Sequence, residues 1–203
     1  MKRIDCIKFI AEKRTNELLL TSVGGVAHEQ YAVDDRPTNL CMVQMSYTTP
    51  MALGIATGIP HRKVIVLEGD GSLLMNLGVL ATVAARNPKN LLIVCFDNER
   101  YFGPGMPTHT AGKADLATIA RGAGFETAVT VRDIEAFRKT FTDALSANQL
   151  ALVVAKTEAD PSIPPDILPY DLTENTYIFM RELVRQKLTQ AWRELYPSHF
   201  GLK

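Results

Sequence analysis

The stretch EGDGSLLMNLGVLATVAARNPKNLLIVCFDNERY, residues 68–101, decides the fold. It contains two oxygen-rich turns, at residues 69–72 and 97–100, and each turn follows a continuous apolar run. The segment between the turns has apolar residues at helical spacing, which predicts a helix joining two buried strands. A helical crossover of this kind makes its two strands parallel, so both turns should lie at the same edge of the sheet.

The same alternation continues along most of the chain. Apolar, strand-like runs alternate with amphipathic patterns, which predicts an α/β fold: an open parallel sheet of about six strands with helices on both faces. The predicted strands cover residues 18–23, 40–44, 64–69, 91–96, 126–131 and 152–156. The predicted helices cover residues 2–15, 50–59, 73–86, 113–123, 132–147 and about 173–195.

A proline-rich segment separates the last predicted helix from the rest. Residues 159–171 contain four prolines, which lack backbone donors, so an extended linker is predicted there. We expect one domain over residues 1–158, followed by a linker and C-terminal helix over residues 159–203. The apolar stripe of that helix has two interpretations: it packs on its own domain, or it contacts a partner subunit.

Composition narrows the class of protein and of partner. With 203 residues, 46% of them hydrophobic, the chain can bury a full core. The 22 basic residues balance the 22 acidic ones, and no run of like charge indicates binding to nucleic acid or a membrane. No apolar stretch reaches about eighteen residues, and the three cysteines form no CxxC pair. We therefore expect a cytoplasmic protein with buried thiols.

The first turn combines features that conflict unless a cation is present. Gly69 and Gly71 allow close approach of an anion, and Ser72 is placed to start a helix with outward-pointing amides. Asp70 adds a carboxylate to the same turn, and a helix N-terminus contributes at most about 2 kcal/mol against that repulsion. Oxygen ligands from Asp70 and Asn98 favour Mg²⁺ bridging a diphosphate. Helix capping and turn formation are the alternative roles for these two residues.

Taken together, the two turns resemble the diphosphate-binding motif of thiamine diphosphate enzymes. The likeness extends upstream, where MSYTTPMALGIATG at residues 45–58 resembles the segment before this motif in acetolactate synthases and related decarboxylases. Residues 68–101, together with PTHTAGKADLATIARGAGF at residues 107–125, also resemble the sulfopyruvate decarboxylase β subunit and phosphonopyruvate decarboxylase. The resemblance implies the pyrophosphate-binding, or C-terminal, domain of this family.

By this resemblance, Mg²⁺ is held by the Asp70 carboxylate, the Asn98 side chain and the Arg100 carbonyl. The cofactor contacts implied within the two turns are Gly69, Asp70, Gly71, Ser72, Asn98, Arg100 and Tyr101. The sequence departs from the family pattern at Asp97, where asparagine is common, and at Arg100, where glycine is usual. A metal bound through Asn98 and a backbone oxygen tolerates both departures.

The resemblance also implies how the other end of the cofactor is held. Met45 would be the apolar wedge that bends the cofactor into a V, with the Met45 N–H and the Val43 carbonyl on the aminopyrimidine ring. His109 is the first candidate for an acid–base residue, and His28 is the second. Both histidines lie in predicted loops after strand ends, and histidine titrates near neutral pH. A plain surface role is the alternative for each histidine.

The glutamate that activates the cofactor in this family belongs to a pyrimidine-binding domain, for which this chain has no room. The resemblance therefore implies a separate pyrimidine-binding α subunit. The pair would form a two-subunit decarboxylase that converts a small 2-oxo acid into an aldehyde and carbon dioxide. Two alternatives stay open: one half of an acetolactate-synthase-like carboligase or other thiamine diphosphate enzyme, and a noncatalytic scaffold subunit with the same fold.

Overall fold

The computed structural model describes residues 1–101, 105–108, 111–159, 168 and 171–190. Within these residues, six parallel strands form one sheet with helices on both faces, and the predicted fold class is confirmed. The strands are β1 Leu18–Ser22, β2 Asn39–Val43, β3 Val64–Gly69, β4 Leu91–Asp97, β5 Ala128–Val131 and β6 Ala151–Lys156. The helices are α1 Arg3–Lys13, α2 Gly25–Val33, α3 Thr48–Gly58, α4 Asp70–Leu74, α5 Gly78–Arg86, α6 Leu116–Gly122, α7 Ile134–Ser146 and α8 Leu172–Arg185.

The order of the strands predicts a ligand-binding crevice at the carboxyl edge of the sheet. The order is β2-β1-β3-β4-β6-β5, and every neighbouring pair is parallel. The chain passes from β1 outward to β2 and then returns past β1 to β3, so the direction of winding reverses between β1 and β3. Ligands of open parallel sheets bind at the carboxyl ends of the strands beside such a reversal. Both oxygen-rich turns lie at that edge.

Two apolar layers cover the sheet because successive residues of a strand point to opposite faces. In β3, Val64 and Val66 point into the layer formed with α3, α5, α6 and α8. Ile65 and Leu67 point into the opposite layer, which α1, α2 and α7 complete. All four side chains are fully buried. Burial on both faces explains why the strands are continuous apolar runs.

Two helical regions differ from the sequence-based expectation. The helix predicted over residues 73–86 begins earlier, at Asp70, and is divided into α4 and α5. At the break, the Asn76 side chain donates a hydrogen bond to the Ser46 carbonyl at 3.2 Å. The apolar pattern does not predict α2, because its buried residues include the polar Glu29 and Gln30, which interrupt the apolar stripe.

The C-terminal helix α8 packs on the same domain. Phe179 and Leu183 are buried in the layer beside α3. The Asn175 side chain bonds to the edge strand β2: its oxygen accepts from the Cys41 N–H at 2.6 Å, and its amide donates to the Asn39 carbonyl at 3.1 Å. These contacts cover part of the sheet edge and favour the first interpretation of the apolar stripe. The end of the predicted helix and most of the predicted linker lie outside the described residues.

The expectation of buried thiols holds in the described part of the chain. Cys6, Cys41 and Cys95 are free and buried. Burial raises the pKa of the Cys6 and Cys41 thiols to about 12 and that of Cys95 well above its ordinary value, so all three stay protonated. No helix that the structure describes is long and apolar enough to cross a membrane.

Candidate functional site

The turn after β3 places a buried carboxylate in the crevice. The strand ends at Gly69, and α4 begins at Asp70. The Asp70 side chain is buried, and its Oδ2 atom has no hydrogen-bond partner among the described residues. A buried carboxylate oxygen without a donor is unfavourable. This atom is therefore the first candidate to face a bound cation.

Two effects raise the pKa of Asp70 to about 6. Burial is the larger effect, and the negative charge of Asp97 is the second. Hydrogen bonds with the Gly71 backbone and the Thr108 side chain lower the pKa without outweighing them. The ionised form of Asp70 is thus disfavoured by the protein alone. A divalent cation beside Oδ2 would favour the ionised form instead.

Gly71 leaves the space that the Tyr101 ring occupies. A Cβ atom built on Gly71 would lie 2.5 Å from Cε1 and 2.8 Å from Cδ1 of Tyr101, closer than two carbon atoms approach. Tyr101 is held in this position through its backbone, whose N–H donates to the Met106 carbonyl at 2.9 Å. Glycine is therefore required here by the close approach of an aromatic ring.

The turn after β4 is shaped by two hydrogen bonds between side chains and backbone. Asp97 Oδ1 accepts from the Glu99 N–H at 3.2 Å, and Asn98 Oδ1 accepts from the Arg100 N–H at 3.0 Å. Glu99 has a left-handed backbone, with φ of 59°. This conformation is uncommon for residues other than glycine, so the surrounding contacts must hold it.

Strand register brings the two turns together. Gly69 of β3 is aligned with Phe96 of β4. The residues that follow them, Asp70 and Asp97, therefore occupy adjacent strand ends, as the helical crossover in the sequence predicts. The two aspartates carry negative charge into the same small region of the crevice.

Lys156, which the sequence analysis did not select, contacts the second turn from the neighbouring strand. It ends β6, and its Nζ lies 2.7 Å from Asp97 Oδ2 and 2.6 Å from Glu99 Oε1. Burial lowers the pKa of Lys156, but the hydrogen bonds and charges of the two carboxylates outweigh burial and raise the pKa above its ordinary value. Lys156 is thus a cation at neutral pH. The contact depends on β6 lying beside β4, which no local sequence pattern indicates.

The turn that carries Met45 is fixed by the segment after Asp70. Ser46, which follows Met45, has a left-handed φ of 73°. Its N–H donates to Ser72 Oγ at 3.0 Å, and its carbonyl accepts from Asn76 Nδ2. Met45 itself is half-buried. The position of Met45 therefore depends on the same segment that begins with the acidic turn.

Two residues of the predicted site, Val43 and Arg100, form hydrogen bonds within the chain. Val43 is buried, and its carbonyl accepts from the Val23 N–H at 2.8 Å. A carbonyl oxygen has two lone pairs, so one acceptor position of Val43 is left for a ligand. The Arg100 side chain is exposed and donates to the Gly105 carbonyl at 3.0 Å, so it faces its own loop.

The two candidate histidines differ in what the structure describes. His109 lies outside the described residues, and its acid–base role stays a prediction. His28 is partly buried on α2, the helix that follows β1 at the crevice edge. Its neighbour Glu29 lies within α2, where two hydrogen bonds of 2.9 and 2.8 Å join its carboxylate to Arg3. Glu29 is thus a structural residue.

The donor atoms at the crevice suit a hard divalent cation. In the described ranges, no group of three or more His, Cys, Asp or Glu side chains lies close enough to hold a metal ion. The ligand set that the resemblance implies is instead the Asp70 carboxylate, the Asn98 amide oxygen and the Arg100 carbonyl. Mg²⁺ is commonly bound through one or two carboxylates together with ligand phosphates, so this set fits it.

Residues 23–155 match the family described as thiamine pyrophosphate enzyme, C-terminal TPP binding domain. The chain belongs to this family. The family that the two turns and the upstream segment indicate is therefore confirmed, and thiamine pyrophosphate is another name for thiamine diphosphate. The matched range contains both oxygen-rich turns and Met45, and Lys156 is the first residue after it.

Individual relatives agree with this assignment, and a solved structure shares the fold. The chain is 38% identical over 182 residues to sulfopyruvate decarboxylase subunit beta of Methanocaldococcus jannaschii, covering 85% of this chain and 96% of that one. It is 31% identical over 147 residues to phosphonopyruvate decarboxylase of Streptomyces viridochromogenes, covering 72% of this chain and 37% of that one. The crystal structure of benzoylformate decarboxylase from Polynucleobacter necessarius shares the fold, with a TM-score of 0.68 and 18% identity over 81% of this chain and 34% of that one.

Proposed function

We propose that this chain is the thiamine diphosphate- and Mg²⁺-binding subunit of a two-subunit 2-oxo acid decarboxylase. The observation that carries the proposal is the buried Asp70 carboxylate, whose Oδ2 has no partner among the described residues and lies at the strand end beside Asn98. A cation bound beside Oδ2 would satisfy this atom and favour the ionised carboxylate. The chain belongs to a family that binds thiamine pyrophosphate, and the proposed cation would bind the diphosphate of that cofactor.

In this proposal Mg²⁺ contacts Asp70, Asn98 and the Arg100 carbonyl, and the diphosphate completes its oxygen ligands. The backbone of Gly71 and Ser72 would bind the phosphate groups, because amides at the start of a helix point outward toward an anion. The neighbouring carboxylate, Asp97, has Lys156 as its partner. Asp70 therefore keeps a buried carboxylate oxygen without a partner among the described residues, whereas Asp97 is paired with Lys156.

Met45 would set the conformation of the bound cofactor and take no part in proton transfer. The turn that carries it is anchored at Ser46 by Ser72 and Asn76, so Met45 can present a fixed apolar surface. Thiamine diphosphate, when bound, supplies a thiazolium ring that accepts the electron pair released when a 2-oxo acid loses carbon dioxide. His109 is our candidate for moving a proton at the substrate, since histidine titrates near neutral pH.

A partner subunit is supported by apolar side chains around the site. Tyr47, Met51, Met75 and Met106 are among the exposed large hydrophobic residues. Tyr47 adjoins Ser46, Met51 lies one helical turn further along α3, and Met75 adjoins Asn76, which bonds to Ser46. Exposed apolar residues grouped beside a site indicate a protein contact.

We propose that the partner is a pyrimidine-binding α subunit that supplies the activating glutamate. One relative is named as a beta subunit, and another is a longer protein of which this chain spans 37%. Both patterns are expected if the second half of the active site resides on a separate chain here and on the same chain in the longer relative. The names of these relatives also support a substrate with a 2-oxo acid group and a second anionic group.

Activity measurements with and without the partner test this proposal. The chain is purified alone and together with the product of the adjacent gene, thiamine diphosphate and Mg²⁺ are added, and carbon dioxide release is followed with sulfopyruvate, phosphonopyruvate and pyruvate. We expect release from the complex alone, with a substrate that carries the second anionic group. Equal activity from the isolated chain would contradict the two-subunit assignment. A condensation product in place of an aldehyde would instead favour the carboligase alternative.

A further inference from the structure

We propose that Lys156 is a positioning residue that holds the metal-binding turn at residues 97–100 in shape by binding the carboxylates on both sides of Asn98. The inference rests on the proposed Mg²⁺ site. Lys156 would not touch the metal or the cofactor. It would act through Asp97 and Glu99, and so through the orientation of Asn98 between them.

The geometry of the turn supports this role. The Lys156 ammonium contacts Asp97 Oδ2 at 2.7 Å and Glu99 Oε1 at 2.6 Å. Asn98, the proposed metal ligand, is the residue between those two attachments. Because both neighbours are bound to one cation on an adjacent strand, rotation of the backbone at Asn98 would require at least one of the two ion pairs to break.

Glu99 has an uncommon backbone conformation that its ion pair with Lys156 would help to maintain. Its left-handed φ of 59° is unfavourable for a residue with a side chain. The Glu99 carbonyl accepts from the Thr108 N–H at 3.0 Å, and its side chain is bound to Lys156. An uncommon conformation persists only where several contacts determine it, and the Lys156 ion pair is one of those contacts.

The burial of Lys156 separates this contact from an ordinary surface ion pair. The side chain of Lys156 is 16% exposed and that of Asp97 is 5% exposed. Exposed ion pairs contribute little, whereas a mostly buried one is strongly oriented by its partners. Register also matters, since Asp97 and Lys156 are aligned residues of β4 and β6. Strand pairing therefore places the Lys156 ammonium beside the start of the turn at residues 97–100.

Two substitutions separate a positioning role from a merely structural one. Glu99→Gln weakens one attachment at a half-buried side chain and leaves the Asp97 pair intact, so the fold should be little affected. Lys156→Met removes both attachments. The matched control is Lys139→Met, which breaks an exposed ion pair between Lys139 and Asp143 on α7, away from the crevice.

The measurement is metal binding, followed by isothermal titration of Mg²⁺ into the full-length chain with its partner subunit and excess thiamine diphosphate. Loss of a group that orients a metal ligand typically weakens metal affinity about 10- to 100-fold, and we expect a loss in this range for Lys156→Met. For Glu99→Gln we expect a smaller loss of affinity, with the melting temperature of the metal-free protein unchanged. For Lys139→Met we expect wild-type affinity.

The outcomes distinguish this inference from the proposed function on which it rests. Mg²⁺-dependent binding in the wild type, together with unchanged affinity in both Glu99→Gln and Lys156→Met, would overturn the positioning role alone. A loss of affinity that always follows a matching loss of melting temperature would also overturn it, because it would indicate a structural role. If the wild type shows no Mg²⁺-dependent binding of thiamine diphosphate, the proposed function fails, and the positioning role fails with it.

Discussion

Two buried aspartates at adjacent strand ends have opposite electrostatic surroundings. Asp97, after β4, is bound to the ammonium of Lys156 at 2.7 Å. Asp70, after β3, has an oxygen with no partner among the described residues, and burial raises its pKa to about 6, with the charge of Asp97 adding to the shift. The same residue type therefore stabilises the fold at one position and is costly at the other. This difference supports the proposal that Asp70 binds a cation.

The largest contrast between the two aspartates is expected in metal binding. Asp70→Ala removes the carboxylate proposed to bind the metal, and we expect Mg²⁺-dependent binding of thiamine diphosphate to fall by more than about 100-fold, as for loss of a direct metal ligand. Asp97→Asn keeps the turn's side-chain acceptor and should weaken binding much less. Titration of both variants with Mg²⁺ at excess thiamine diphosphate measures the difference. Equal losses of affinity in the two variants would contradict the assignment of Asp70, and not Asp97, as the metal ligand.

A second contrast concerns the free energy of unfolding of the metal-free protein. Asp70→Asn should raise it, and Asp97→Asn should lower it. Asp70 has a pKa of about 6 in the folded chain against an ordinary value of 3.8. Protonation is thus favoured by folding, and ionisation above pH 6 costs roughly 3 kcal/mol of unfolding free energy. Asp70→Asn removes this cost and should stabilise the protein above pH 6. Its advantage should shrink as the pH falls from 6 to 4, because Asp70 then becomes protonated in the folded state.

Asp97→Asn should instead destabilise the metal-free protein at neutral pH. It removes a charged partner from the mostly buried Lys156, which costs about 1–3 kcal/mol. Urea unfolding at pH 5 and pH 8, without Mg²⁺ or cofactor, measures both variants. If Asp70→Asn were less stable than the wild type at pH 8, the ionised Asp70 carboxylate would be stabilised by another group, which would contradict this prediction.

A smaller effect tests the shape of the Asp70 turn. In Gly71→Ala the new Cβ would collide with the Tyr101 ring, at 2.5 Å from Cε1. We expect the ring to move and the binding of thiamine diphosphate to weaken roughly 10-fold, within the range for disturbed metal-site surroundings. The control is Gly58→Ala at the end of α3, where a Cβ meets nothing within 4 Å. Restored binding in a Gly71→Ala and Tyr101→Ala double variant would identify the ring as the cause.

The smallest effect on binding is expected at Met45. Met45→Ala should change the affinity for thiamine diphosphate less than about threefold, because only apolar contact is lost. It should slow exchange of the thiazolium C2 proton in the complex, measured by NMR in deuterated buffer. A large loss of affinity with normal exchange would reverse the roles assigned to Met45 and Asp70.

Local sequence patterns were enough to predict β3, β4 and the turns that follow them. The apolar runs that end at Gly69 and Asp97, and the helical spacing between them, place two turns at one edge of a parallel sheet. The division into α4 and α5 was not predictable in the same way, because it depends on Asn76 bonding to a carbonyl on a distant segment. Helix α2 was missed because two of its buried positions are polar, so its sequence lacks an apolar stripe.

The amino-acid sequence by itself determined the α/β fold, the family and the placement of Asp70 and Asn98 at one crevice. These features follow from the periodicity of apolar residues and the handedness of crossovers, which act over short stretches of chain. Only the tertiary structure decided which aspartate is neutralised. Lys156 reaches Asp97 because β6 inserts beside β4, and long-range strand pairing of this kind depends on the whole fold and leaves no local pattern in the sequence.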